Sequence, residues 1–323
     1  MKVYIPRRIA DEGLSYLTER GYEVRLGSAQ DEETMIREIT DCDALIIRID
    51  PVTKAVIDAA PRLRVIARHG VGLDNIDVAY ATARGIWVTN SPLSNAGAVA
   101  EHTIMLMLLL ARRVQPLNAM DPGAAFLAYQ QRLGMEISGK TLGIIGYGRI
   151  GQQTARIAAD GFGMRVLAWS RRMADKPRHP GVRFAETPEE IYRQADFVSL
   201  HMALNEQTRN FLGKDAFALM KPDAYLINTA REELVNREAL LSALENGQIA
   251  GAGIDFCADD ASLPYLRALV DTDKVLVTPH SGSMTKDAMK RMALHAAQGV
   301  HEVLSGQMPT WPVNEPCPPG RAG

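Results

Sequence analysis

Two segments of the 323-residue chain end a hydrophobic run with a side chain able to act on a carbonyl group: Ile227-Asn228-Thr229-Ala230-Arg231 and Val277-Thr278-Pro279-His280-Ser281-Gly282. A guanidinium can hold a carboxylate and polarise the adjacent 2-carbonyl, and an imidazole that titrates near neutrality can give the new hydroxyl its proton. In an open α/β sheet the carboxyl ends of strands face the ligand crevice, so both groups would be presented there. The structural alternatives are a surface ion pair for Arg231 and a helix-capping role for His280.

A third segment suggests what such a pair would work with. Gly146-Tyr147-Gly148-Arg149-Ile150-Gly151 fits G-x-G-x-x-G, follows the hydrophobic run Thr141-Leu142-Gly143-Ile144-Ile145 and precedes the helix-compatible stretch Gln152 to Ala159. In that setting the first glycine permits a tight turn, the second lets backbone approach a pyrophosphate, and the third allows close contact of helix and strand. The phosphates would rest on free N–H groups at the helix start. The alternative is a glycine-rich turn without a ligand. About twenty residues further on an NAD site normally carries an acidic residue for the ribose 2′-hydroxyl. Here the chain reads Trp169-Ser170-Arg171-Arg172. Ser170 can hydrogen-bond a 2′-phosphate and either arginine can pair with it, which favours NADP(H) over NAD(H). A solvated basic loop is the alternative.

The elements that must position these groups follow a strand–helix rhythm. Short aliphatic runs at Val3–Ile5, Glu23–Leu26, Ala44–Ile47, Val65–Ala67 and Trp87–Thr89 alternate with helical patterns, as in a parallel sheet. A helix from Ala96 to Arg113, apolar on nearly every face, is expected to be buried between domains. Six further runs, from Thr141–Ile145 to Lys274–Thr278, predict a complete doubly wound sheet. The amphipathic helix from Lys286 to Leu304 has no strand of its own to cover, so it is expected to return to the first domain.

The fold expected is therefore α/β, with two doubly wound parallel-sheet domains: a Rossmann cofactor domain, residues 98–285, inserted in a flavodoxin-like substrate domain, residues 1–97 and 286–313. Residues 314–323, with three prolines and two glycines, are expected to form a flexible tail. A chain of this length has room for two cores and a cleft.

Composition narrows the class of partner. With 36 Lys+Arg against 38 Asp+Glu, no overall attraction to nucleic acid or to an anionic membrane is indicated. Cys42, Cys257 and Cys317 show no paired spacing for zinc, a redox couple or a disulfide framework, and no metal is expected. Met1 to Pro6 runs straight into a strand-like segment, so no signal peptide is expected, and the most apolar stretch, Thr103 to Ala111, is far shorter than the roughly 20 residues a membrane span needs. A cytoplasmic protein with a small-molecule substrate is expected.

Together with Arg68-His69-Gly70-Val71-Gly72-Leu73-Asp74-Asn75-Ile76-Asp77 and Val99-Ala100-Glu101-His102-Thr103, these motifs resemble the D-isomer-specific 2-hydroxyacid dehydrogenase family over essentially the whole chain except the tail. The resemblance implies that Arg231 binds the substrate carboxylate and carbonyl, that His280 is the general acid/base, and that the N–H groups of Val71 and Gly72 help grip the carboxylate. It implies a cofactor site of Gly146, Gly148, Arg149, Ile150, Gly151, His201, Thr229 and Asp255, with Asp255 near the nicotinamide carboxamide; Ser170, Arg171 and Arg172 join that site on the chemistry given above, and a homodimer is expected. Glu101 and His102 are expected to secure the helix that carries them.

The chain departs from the family pattern in three places. The glutamate that usually partners the catalytic histidine is replaced by Asp260, with Asp259 beside it; Glu232 and Glu233 follow Arg231 where glycine is usual; and Ala203 stands where a proline is common. The resemblance also extends to nucleotide-sensing corepressors that dock partner peptides, a binding role that turnover on a panel of 2-oxo acids would exclude.

Cations crowd the expected carboxyl edge of the first domain. Arg7 and Arg8, Arg48, and Arg68 with His69 each follow a strand-like run. They predict a second anionic or strongly polar group on the substrate, bound by Arg48; the alternative is pairing with Asp50, Asp74 or Glu232.

Overall fold

The computed structural model describes residues 1–114, 133–256, 263–272 and 274–316. Asp259, Asp260, Cys257 and Cys317 lie outside the described residues. The chain divides into two units, Met1–Asn95 with the residues from Met284 onward, and Ala96–Ser283.

In the first unit five short strands form one parallel sheet: β1 (Lys2–Ile5), β2 (Glu23–Leu26), β3 (Ala44–Ile47), β4 (Val65–Arg68) and β5 (Trp87–Thr89). Their order, β2-β1-β3-β4-β5, is that of a flavodoxin-like sheet. Alternation along each strand supplies two cores. Tyr4, Leu45, Ile47, Ile66 and Val88 pack to one side with Met35, Val56 and Ile57. Val3, Ile5, Ala44, Ile46, Val65 and Ala67 pack to the other, against Ala293, Ala296, Ala297 and Val300 of the helix Lys286–Leu304. Small residues let that helix approach closely: a Cβ on Gly13 would lie 2.8 Å from the Ala293 Cβ, and one on Gly299 would lie 2.6 Å from the Thr89 hydroxyl.

Asn314, the first residue of the expected tail, is firmly bound. Its Oδ1 accepts from Val88 N at 2.7 Å, and its Nδ2 donates to Thr82 Oγ1 at 2.8 Å and Ile86 O at 2.9 Å. The turn residues around it gave no signal of this, because the partner is an edge strand far away in sequence.

The second unit holds β6 (Thr141–Ile145), β7 (Arg165–Trp169), β8 (Val182–Phe184), β9 (Phe197–Leu200), β10 (Tyr225–Asn228), β11 (Gly251–Asp255) and β12 (Val275–Thr278). They form one parallel sheet in the order β12-β11-β10-β9-β6-β7-β8, the doubly wound arrangement with a seventh strand added. The extra strand, β8, has only three residues after a Pro-Gly turn and pairs with β7 at the edge, too short for its alternation to register in the sequence.

The chain reverses its direction of winding between β6 and β9. That switch point is where doubly wound sheets open a crevice at their carboxyl ends. The helix Ala96–Ala111 packs on β10 and β11, where a Cβ on Gly253 would already touch Leu106 and Leu110 at 3.2 Å. Among the described residues no helix is long and apolar enough to cross a membrane.

Candidate active site

The glycine loop leaves β6 at the switch point, and its three glycines meet three different constraints. Gly146 has φ +101°, and a Cβ there would lie 2.7 Å from the backbone of His201, so both conformation and space require glycine. A Cβ on Gly151 would collide with the carbonyl oxygen of Gly146, which fixes how closely the helix Arg149–Arg156 meets its strand. Gly148, the N-cap of that helix, faces open space and has no capping side chain. The N–H groups at Arg149 and Ile150 thus start a helix whose end is open to an anion, which is the cradle a pyrophosphate needs.

Ser170, Arg171 and Arg172 follow β7, the strand next to the loop. Ser170 is half-buried and both arginines are exposed. Arg171 bonds the Gln207 side-chain oxygen, and neither arginine has an ion-pair partner among the described residues. On the other flank, His201 follows β9. Its N–H donates to Ile145 O at 2.8 Å and its ring meets Ser199 Oγ at 2.9 Å. Desolvation pushes its pKa down to about 3, so the ring is neutral.

Beyond β10 the backbone is caged by Asn228, which the motif contained but sequence reasoning did not single out. Its Nδ2 donates to Arg231 O at 2.8 Å and its Oδ1 accepts from Ala230 N at 3.1 Å. That short-range bracket sets where Arg231 leaves the strand. Thr229 meets Thr103 at 3.0 Å, oxygen to oxygen; Thr103 gives its single proton to Val99 O, so Thr229 is the donor. Arg231, half-buried, also donates to Ala230 O at 2.8 Å. The carboxylate that follows it, Glu232, is paired with Arg237, whose guanidinium also lies over Tyr265.

At the ends of β11 and β12, Asp255 is buried and accepts bonds from Thr278 Oγ1 (2.6 Å), Ser281 N (2.7 Å) and Gly282 N (2.9 Å). His280 sits between these anchors with φ +51°, a left-handed conformation that stores roughly 1–3 kcal/mol in a residue other than glycine. Strain of this kind persists only where neighbours hold it, and here they do. His102 reaches the same cluster from its helix, with Nε2 2.9 Å from Thr278 Oγ1, whereas Glu101 is exposed.

The first unit has a polar edge of its own, at the ends of β3 and β4. Arg68 folds over its loop, donating from Nε to Gly72 O at 2.9 Å and from Nη1 to His69 O at 2.5 Å, while Asn90 Nδ2 donates to Val71 O at 3.1 Å. Val71 and Gly72 are half-exposed, and their N–H groups donate to no backbone carbonyl among the described residues. Gly70 has φ +146°, and a Cβ there would meet Arg68 Nη1 at 2.8 Å.

Arg48 is half-buried and has no ion-pair partner among the described residues, while Arg8 pairs with Asp11. Burial first, and the charge of Arg7 second, lower the Arg48 pKa. His69, buried beside it, is driven down to about 4 by desolvation, with Arg48 and Arg68 adding repulsion. Burial of a charge that lacks a counter-ion is costly, and an added anion would offset that cost.

A parallel sheet with an open glycine cradle at its switch point, and with an arginine and a histidine just past the carboxyl ends of β10 and β12, defines a dinucleotide-dependent oxidoreductase. Residues 104–282 match the family model of the D-isomer specific 2-hydroxyacid dehydrogenase NAD binding domain. The chain is 37% identical to a glyoxylate reductase of Pyrococcus furiosus over 97% of its length and 95% of that protein. It is 35% identical to a D-3-phosphoglycerate dehydrogenase of Methanocaldococcus jannaschii, over 98% of this chain and 60% of that longer one. An acyclic imino acid reductase solved in complex with NADPH and D-Arg superposes with a TM-score of 0.84 at 29% identity, covering 97% of this chain and all of that one. The chain belongs to the D-isomer-specific 2-hydroxyacid dehydrogenase family, and is an oxidoreductase that uses a nicotinamide cofactor.

Proposed function

We propose that the enzyme reduces a small, polar 2-oxo acid to the D-2-hydroxy acid with NADPH. The observation that carries this is the gathering of Gly146–Gly151, Arg231, Asp255 and His280 at the carboxyl ends of β6, β10, β11 and β12 of one sheet. The cofactor, when bound, supplies the hydride to C2. Arg231 holds the carboxylate and polarises the 2-carbonyl oxygen; His280, protonated, gives its proton to that oxygen as the alcohol forms. Asp260 is assigned as the carboxylate that stabilises the charged form of His280.

Gly146, Gly148, Arg149, Ile150 and Gly151 receive the pyrophosphate, and His201, Thr229 and Asp255 line the approach to the nicotinamide. Ser170, Arg171 and Arg172 receive a 2′-phosphate, a reading supported by the absence of any acidic residue in that turn. The N–H groups of Val71 and Gly72 grip the substrate carboxylate, and Arg48 binds a second anionic or polar group. Likeness to proteins named glyoxylate reductase and D-3-phosphoglycerate dehydrogenase supports this substrate range.

The test is turnover of glyoxylate, hydroxypyruvate, pyruvate and a branched-chain 2-oxo acid with each of NADPH and NADH. Highest kcat/KM is expected for a polar acid with NADPH. Turnover of none of the four would remove the proposal.

A further inference from the structure

The strand-end cluster around Asp255 contains one group that the reaction above does not use. His102 stands on the helix Ala96–Ala111, more than 150 residues from its partner in sequence, and its Nε2 lies 2.9 Å from Thr278 Oγ1 and 3.6 Å from Asp255 Oδ1. Asp255 and Thr278 face each other in the register of β11 and β12, which is why their side chains meet.

Proton counting gives this cluster a direction. The Thr278 hydroxyl has one proton and three neighbours: Asp255 Oδ1 at 2.6 Å, Ile254 O at 3.4 Å and His102 Nε2 at 2.9 Å. The short bond to an ionised carboxylate takes the proton, so Thr278 Oγ1 accepts and His102 Nε2 donates. The chain then runs from His102 N–H to the Thr278 hydroxyl, and from that hydroxyl to Asp255. The same carboxylate is the anchor for the N–H groups of Ser281 and Gly282, the two residues that follow His280. The fit at Gly282 is close, since a Cβ there would lie 2.9 Å from Asp255 Oδ2 and 3.6 Å from His102 Cδ2. On the other side of His280, its own N–H donates to Thr278 O at 3.0 Å.

We infer that His102 is a positioning residue: by donating to Thr278 it fixes the Asp255 carboxylate, which in turn holds the left-handed backbone at His280 in the one pose from which the imidazole reaches substrate. A hydrogen-bonded chain strengthens each of its members, so losing the first donor loosens the last acceptor. Small displacements of a proton donor are expensive in rate, with about 1 Å able to cost 100-fold. The inference rests on the assignment of His280 as the acid, yet the anchoring of its loop can be measured without any reaction.

The experiment uses the full chain with His102→Phe, His102→Gln, Thr278→Val and the double variant His102→Phe/Thr278→Val. Two quantities are read: kcat and KM with glyoxylate and NADPH, and amide hydrogen exchange at Ser281 and Gly282. His102→Phe and Thr278→Val should each lower kcat by about tenfold or more with little change in KM for glyoxylate, and should speed exchange at both amides. Glutamine, which keeps an N–H donor, should restore most of kcat and the protection, and the double variant should be no worse than the worse single one.

Wild-type kcat and exchange in His102→Phe, glutamine no better than phenylalanine, or additive losses in the double variant would each overturn the inference. Should His102→Phe fail to fold, Thr278→Val, which keeps the side-chain shape, carries the same test. His280→Ala separates the two readings: if it keeps near-normal kcat the assigned acid is wrong, while exchange at Ser281 and Gly282 still decides whether His102 anchors the loop.

Discussion

Asp50 is held by Arg7, whose Nε lies 2.8 Å from each carboxylate oxygen and whose Nη2 lies 2.7 Å from Oδ1, and not by Arg48. The nearest carboxylate in sequence is therefore already neutralised. Arg48→Ala should raise KM by about tenfold or more for a 2-oxo acid carrying a second anionic group and leave KM for pyruvate nearly unchanged, since a charged hydrogen bond contributes about 1.5–3 kcal/mol. Equal effects on both substrates would show that Arg48 serves only the packing of its strand end.

Arg231→Ala and His280→Ala should each lower turnover on the order of 100-fold or more, one removing the cation that polarises the carbonyl and the other the proton donor. Asp260→Asn should lower the apparent pKa of the group that must be protonated for reduction, because the carboxylate favours the charged imidazole. Rates across pH for the three variants decide both points, and near-normal kcat in either alanine variant would cancel that residue's assignment.

Arg237 neutralises Glu232, the acidic residue beside Arg231 that replaces the usual glycine. Removing the cation with Arg237→Ala should expose a negative charge next to the anion site and raise KM for every 2-oxo acid, an effect that grows as salt is lowered. The Glu232→Gln/Arg237→Ala pair should recover most of the loss. If it does not, Arg237 acts through its contact with Tyr265 instead.

Arg171→Ala should weaken NADPH more than NADH, by roughly 1.5–3 kcal/mol for the lost charged contact with a 2′-phosphate. Titration of the two cofactors by protein fluorescence measures it. A wild-type preference for NADH would mean that the turn after β7 is simply solvated.

His69 and His201 are held neutral by burial, at about 4 and about 3 against the usual 6.5. Folded-state values below the unfolded ones mean that the unfolded chain binds more protons between pH 6.5 and those values, so stability is full above 6.5 and falls as pH drops. For His69 alone the loss approaches about 3 kcal/mol by pH 4. Melting temperatures measured from pH 7 to pH 5 should fall more steeply for the wild type than for His69→Gln. Parallel slopes would mean that the ring charges freely in the folded state.

Much of this was legible in residue order alone, because strands, glycine turns and helix starts are local. The aliphatic runs placed eleven of the twelve strands described, to within a residue or so at each end. The glycine spacing marked the turn between β6 and its helix, and Arg231 and His280 were expected just past strand ends, where they stand, three residues beyond β10 and two beyond β12. What residue order could not decide was pairing at a distance. Whether Arg7 or Arg48 would take Asp50, that Arg237 would take Glu232, that Asn314 would cap the edge of β5, and that His102 would join Thr278 and Asp255 all depend on side chains brought together from separate elements. A hydrogen bond or ion pair is settled over a few ångströms, and the sequence carries no measure of distance between segments until packing brings them together.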